Sequence, residues 1–270
     1  MTGTPIENTI RDVWALEDFL NPGFLGDSKS FNERFVKPLA YDRSSNVAKK
    51  LSHALEPFIL RRLKTDPTIA AEIGEKREIR EYCRLSSESR NEYEAALAAF
   101  RVSEHSQGDI FALLTELKLI CDGSAKREHL IALLETIFAA GESALIFTQY
   151  AKVGAELQKL LQTHFAKRIA FLHGGLSVAQ RELEIRRFNC LGPQAFVLSL
   201  KAGGFGLNLT KATHVIHFDR WWNPAVEDQA TDRTYRIGQD KNVMVHRLIT
   251  LGTFEEKIDE MLKSKKELAD

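Results

Sequence analysis

The 270-residue chain has no surplus of either charge: 37 Lys and Arg stand against 37 Asp and Glu. A generally basic coat for nucleic acid is excluded, so any grip on phosphates must come from a local patch and from backbone amides. No apolar run is long enough to span a bilayer, and nothing reads as a secretory signal. Cysteine is scarce. Cys83, Cys121 and Cys190 are odd in number, far apart and form no CxxC pair. That argues against a structural zinc site or disulfide framework and leads to the expectation of a reducing, intracellular setting. His173, His214, His217 and His246 have neither HxxxH spacing nor an evident carboxylate partner. They are expected to pack and hydrogen-bond rather than bind metal.

What is present suffices for one large domain or two smaller ones, with 44% hydrophobic and 27% charged residues. The chain opens on a helix signal. Thr4 is a candidate N-cap, Pro5 suits the first helical position and Glu7 completes a capping box. Ile6, Ile10, Val13 and Trp14 follow at helical spacing until Asn21-Pro22-Gly23. A domain seldom begins on a cap, so the opening reads as the end of something longer. From Phe31 to Ile120 the pattern is helical and strongly charged, with Arg77–Leu85 the best strand candidate. This part is expected to be a mostly helical subdomain. After Ser124 short apolar strands alternate with amphipathic helices. The strands are expected at Ala144–Thr148, Ile169–His173, Ala195–Leu200, His214–Asp219 and Val243–Thr250. The helices between them begin near Val153, Ser177, Pro224 and Phe254. This alternation predicts an α/β fold, a parallel sheet flanked by helices, with ligands gathered at the carboxyl ends of the strands.

Each strand hands over to a polar or glycine-rich turn: Thr148-Gln149-Tyr150, His173-Gly174-Gly175, Ser199 to Gly204, and Asp219 to Pro224. Glycine there lets a backbone N–H approach a phosphate closely. The plainer alternative is that each glycine only satisfies a turn. Four such turns on one edge favour a binding surface. The sharpest feature is EDQATDRTYRIGQ. Gln229, Arg233 and Arg236 are spaced to share one face of a helix starting near Pro224 and stopped by Gly238. Two guanidinium groups could then meet one anion, as phosphoryl transfer requires. A solvated helix face is the alternative. Trp221 and Trp222 read as core before they read as base-stacking platforms. Arg61, Arg62 and Lys64, and then Lys76, Arg77, Arg80 and Arg84, form a phosphate or partner patch or else surface ion pairs.

Taken together these strings resemble the Swi/Snf family of superfamily-two, helicase-like, DNA-dependent ATPases. TGTPIEN followed by LEDFLNPGFLG resembles motif III and the helix after it, and PFILRRLKTD the block that follows. ALIFTQY resembles motif IV. SLKAGGFGLNLTKATHVIHFDRWWNPAVEDQATDRTYRIGQ resembles motifs V and VI. The resemblance covers nearly the whole chain, in order. It implies a two-lobed RecA-like motor that hydrolyses ATP with Mg2+ and moves along double-stranded DNA. Residues 1–28 would then be the end of the first lobe and its following helix. Residues 29–123 would be the helical family insertion, and 124–270 the second RecA-like lobe with the start of a brace helix. The resemblance makes Arg233 and Arg236 the arginine fingers. It places Gln229, Asp232, Gly203 and Gly204 at the ATP site and its coupling. Thr148, Gln149, Ser199, Lys201 and Trp222 become contacts to the DNA backbone.

Two departures stand out. Where the family often has Cys-x-His-Pro, this chain reads Cys121-Asp122-Gly123-Ser124. No GxxxxGK[ST] loop and no DExH-type acid box occurs, and in this family both belong to the first lobe, which would also hold the metal. The leading expectation is thus a second motor lobe, inactive alone, whose partners are the first lobe of the same protein and the phosphates of duplex DNA. It would act in the nucleoid, or in the nucleus of a eukaryote. The alternative is a non-catalytic module that docks on DNA or on a nucleoprotein such as RNA polymerase through Arg61 and Arg62. No membrane partner is expected.

Overall fold

Alternation along the central strands decides the sheet. In Ala144–Thr148 (β2) and Ala195–Ser199 (β4) every residue is buried. Ala144, Ile146, Ala195 and Val197 enter one apolar cluster, and Leu145, Phe147, Phe196 and Leu198 another. A strand buried on both faces belongs inside a parallel sheet covered by helices on each side. That is the arrangement found in the computed structural model, which describes residues 9–41, 46–59, 74–101, 106–200, 208–235 and 239–267. The capping box at Thr4, Pro5 and Glu7 lies outside these residues, as do Arg61, Arg62 and Lys64.

The remaining strands are Lys76–Cys83 (β1), Ala170–Leu172 (β3), His214–His217 (β5) and Val243–Thr250 (β6). Among the described residues they form one six-stranded sheet in the order β1-β6-β5-β2-β4-β3, all neighbours parallel. Parallel neighbours need crossovers, and helices supply them. In chain order these are Ser87–Phe100 (α5), Gln107–Cys121 (α6), Ser124–Ala139 (α7), Ala151–Phe165 (α8), Val178–Cys190 (α9) and Pro224–Thr231 (α10), with Phe254–Glu267 (α11) following the last strand. Leu130, Leu134 and Ile137 of α7 and Val153, Leu157 and Leu161 of α8 cover one face of the sheet. Phe188 of α9 and Ala230 of α10 cover the other. Capping boxes at Ser106 with Asp109 and at Ser177 with Gln180 open α6 and α9.

The strand candidate in the segment expected to be helical is β1, and it belongs to the sheet. It pairs in parallel with β6 over its whole length, Lys76 opposite Val243 through Cys83 opposite Thr250. The turn after β6 is tied to α5: Arg90 donates to the carbonyls of Gly252 and Leu251 at 2.8 and 2.9 Å, and Phe254 N–H donates to the Tyr93 hydroxyl at 2.9 Å.

Two compact units divide the chain, Met1–Asp66 and Pro67–Asp270. The first holds Arg11–Leu20 (α1), Ser28–Phe31 (α2), a short π-helix at Asn32–Val36, Lys37–Tyr41 (α3) and Asn46–Leu55 (α4). Its core is Val13, Leu25, Phe31, Phe35, Leu39, Leu51 and Leu55. The second holds the sheet. No helix among the described residues is long and apolar enough to cross a membrane.

Candidate functional site

The turns at the carboxyl ends of the strands are organised from beneath by buried charge. β2 and β5 are neighbours, so Asp219, just past β5, meets the turn that leaves β2. The Thr148 hydroxyl donates to Asp219 Oδ2 at 2.6 Å, and Gln149 N–H donates to both carboxylate oxygens at 3.1 and 3.0 Å. Thr148 is fully buried and Asp219 is 1% exposed. Burial pushes the Asp219 carboxyl above its ordinary range, against the Thr148 hydroxyl and the Gln149 N–H, which favour its charge. The Gln149 side chain reaches one residue further and donates to the Arg220 carbonyl at 2.6 Å. Thr148 therefore acts from inside, holding the turn, while Gln149 lies at its half-buried surface.

The other turns are placed as follows. Ser199 ends β4 and is buried. Leu200 N–H, next in the chain, donates to the Thr148 carbonyl at 3.0 Å, which sets the end of β4 beside that of β2. Lys201, Gly203 and Gly204 lie outside the described residues. In the His173 turn, Gly175 N–H donates to His173 Nδ1 at 3.2 Å and Arg181 donates to the Gly174 carbonyl at 3.2 Å.

The Asp219–Pro224 turn rests on an ion network. Arg220 pairs with Glu227 at 2.6 Å and with Asp259 of α11 at 3.0 Å. Glu227 also receives Trp221 N–H at 2.9 Å and Arg247 of β6 at 3.4 Å. Arg247 continues to Glu78 of β1, and Arg80 closes on Asp259 at 2.7 Å. The basic residues of β1 are thus engaged in ion pairs: Lys76 with Glu78, Arg77 with Glu75, Arg80 with Asp259. Burial raises the Glu227 pKa, opposed by Arg220 and Arg247. Trp221 packs against the core cluster that includes Val215, Val243 and Ala230. Trp222 is 40% exposed and stacks on Phe254, ring centroids 6.1 Å apart.

The expected helix from Pro224 through Arg236 is corrected. α10 ends at Thr231. Arg233 N–H and Thr234 N–H bond to carbonyls three residues back, Ala230 and Thr231, at 3.2 and 3.0 Å, which tightens the chain out of α geometry. The Arg233 carbonyl accepts Leu209 N–H at 3.2 Å. Gln229 and Arg233 therefore do not share one continuous α-helical face. Arg233 is 9% exposed, Gln229 is half-buried and Asp232 is exposed. Arg236 and Gly238 lie outside the described residues.

At Cys121-Asp122-Gly123-Ser124, Asp122 is wholly buried and pairs with Lys126 of α7 at 3.1 Å. Lys126 also meets Glu255 at 2.8 Å. Burial pushes the Asp122 carboxyl well up, and two carboxylates hold the Lys126 ammonium charged. Burial also pushes the flanking thiols up, Cys83 to about 11 and Cys121 to about 12, so neither is a reactive thiolate at neutral pH. The histidines hydrogen-bond, His217 with Thr231 and His214 with His246, but two of them do have carboxylate partners that the sequence did not show, His214 with Glu142 and His246 with Glu81. Among the described residues no group of three or more His, Cys, Asp or Glu is placed to hold a metal ion.

Glu227 and Lys118 are the residues that sequence reasoning passed over, while Asp219 and Arg220 were read only as part of a turn and not as its buried organisers. Lys118 carried a signal: it falls beside Leu114, Leu117 and Cys121 on the apolar side of α6, where a solvated lysine does not belong.

A parallel, helix-flanked sheet with its polar turns on the carboxyl edge defines a RecA-like α/β lobe. Two family models match the chain, the SNF2-related domain over residues 1–137 and the helicase conserved C-terminal domain over 125–238. The chain belongs to the SNF2-related, superfamily-two helicase-like ATPases. It is 42% identical over its whole length to the putative ATP-dependent helicase/translocase YwqA of Bacillus subtilis, and spans 32% of that protein. Among solved structures it is similar to the Sulfolobus solfataricus SWI2/SNF2 ATPase core domain, with 39% identity and a TM-score of 0.64, over 99% of this chain and 58% of that one. The same core in complex with double-stranded DNA matches with 38% identity and a TM-score of 0.63, over 99% of this chain and 60% of that one.

Proposed function

We propose that the Pro67–Asp270 unit is the second motor lobe of an ATP-driven translocase on duplex DNA. The observation that carries this reading is the shared edge: the turns after β2 and β5 lie side by side with the end of β4 next to them, organised by Asp219 and the Arg220–Glu227 network. Such an edge would present the half-buried Gln149 and the exposed Trp222 to a phosphate backbone without a basic coat. The solved relative with double-stranded DNA supports the choice of duplex. A lobe that grips phosphates reads no base edges, so sequence preference is weak.

ATP supplies the phosphoryl group whose transfer would drive lobe closure. Of the donors a bound nucleotide needs, this unit offers cations: Arg233, held on the turn after α10, and Arg236 beyond it. That donor set fits the charge of a γ-phosphate and not its Mg2+, for which the acid box of another lobe is required. Arg233 and Arg236 would serve as fingers from across the cleft, with Gln229, Asp232, Gly203 and Gly204 around them. Thr148 would position the β2 turn, and Gln149, Ser199, Lys201 and Trp222 would meet the DNA strand.

Duplex binding by the 270-residue chain, titrated from about 50 to 200 mM salt, tests the grip. Binding should be sequence-indifferent and fall log-linearly with salt, with a slope of about 0.9 per neutralised phosphate. Salt-independent binding, or strong preference for one sequence, contradicts a phosphate grip.

A further inference from the structure

A deeply buried cation near these turns comes from another element. Lys118 of α6 is 1% exposed, and its ammonium donates to the Arg220 carbonyl at 2.9 Å. The same Nζ lies 5.3 Å from the Trp222 ring centroid and 5.7 Å from that of Trp221, within cation–π range. The Arg220 carbonyl is also the acceptor for the Gln149 side chain. Lys118 thus touches Trp222 directly and shares an acceptor with Gln149. Asp219, Asp122 and Glu255 face the ammonium with opposite charge and Lys126 with like charge. An apolar side chain would bury here at less cost. Only a donor with a charge can hold the carbonyl and both indoles at once. α6 also packs against α5 through Tyr93, Leu97, Leu113 and Leu117.

We propose that Lys118 is a positioning residue, fixing the Arg220–Trp222 segment and the Gln149 amide in the arrangement that meets the duplex. Through it, DNA grip depends on the seating of α5 and α6 against the sheet unit. The inference rests on the motor-lobe reading above.

The test is a double-mutant cycle on the 270-residue chain: Lys118→Met, Trp222→Ala and both together, read by duplex binding, acrylamide quenching of tryptophan fluorescence and thermal melting. Lys118→Met should melt cooperatively, leave Trp222 more open to quencher and weaken duplex binding about tenfold. The double variant should bind no worse than the weaker single one. Lys118→Arg, which keeps a charge and a donor, should bind within a few-fold of the parent chain, and it carries the test if the methionine variant does not fold. Parent-like binding and quenching in Lys118→Met, or losses that simply add, overturn the inference. A parent chain that binds no duplex sinks the motor-lobe reading instead, while unchanged quenching in Lys118→Met still overturns the hold on Trp222.

Discussion

Glu227 shows how a carboxylate is kept inside this lobe. It is 1% exposed, yet it accepts from Arg220, Arg247 and the Trp221 N–H, so its oxygens are occupied. Such a pair adds little net stability over an apolar substitute, whereas removing one partner strands a buried charge at about 3–5 kcal/mol. Its worth is directional: it locks the Arg220–Trp222 turn to α10, β6 and α11 together. His217 is buried under the same cations. Burial first, then Arg247 and Arg220, hold its pKa well below 6.5. The unfolded chain therefore takes up a proton near 6.5 that the folded chain refuses. The stability of neutral His217 is complete above that value and is lost as the pH falls below it. His246, also depressed by burial, adds in the same direction. Thermal melts between pH 8 and pH 5 should show the midpoint falling below about pH 6.5. His217→Gln should flatten that slope. A midpoint level across the range, or a slope unchanged in the variant, contradicts the assignment.

At the scale of elements, close approach sets the sheet's edge. Gly154 of α8 faces Phe171 of β3, and a Cβ there would stand 2.5 Å from the Cε2 and Cζ atoms of the ring. Phe171 is 8% exposed and has little room to retreat. Gly154→Ala should cost about 1–3 kcal/mol, seen as a lower urea midpoint with an unchanged m-value. A variant as stable as the parent would mean the ring moves freely. The same scale shows what could be read from the sequence and what could not. Ala144–Thr148 and Ala195–Ser199 were legible because double burial demands continuous apolar runs. β1 was legible as a strand but not as part of the sheet, since its partner β6 lies more than 160 residues on and parallel pairing has no local signature. The tightening after Thr231 was illegible for a similar reason. EDQATDRTYRIGQ has helical spacing, but the Arg233 carbonyl is met by Leu209, a long-range bond that spacing does not encode. Lys118 was half-legible, a charge on an apolar helix face, but its indole and carbonyl partners come from a distant turn.

For the whole molecule, neutrality is the informative quantity. In a chain with equal numbers of acids and bases, any grip on DNA must come from a local patch, which we propose lies at the carboxyl edge of the sheet. The family assignment and the site fit one another there. If Arg233 and Arg236 act as fingers there, the phosphate loop and acid box that this sequence does not contain must come from another lobe. ATP turnover in the presence of duplex DNA tests this most directly. It should be measured on the 270-residue chain alone and on a protein in which the chain is preceded by a phosphate-loop lobe. The account predicts no turnover from the chain alone. In the two-lobed protein it predicts DNA-stimulated turnover that Arg236→Ala lowers by about a thousandfold or more with ATP affinity little changed. DNA-dependent turnover by the chain alone, or equal loss of turnover and ATP affinity in the variant, would contradict it.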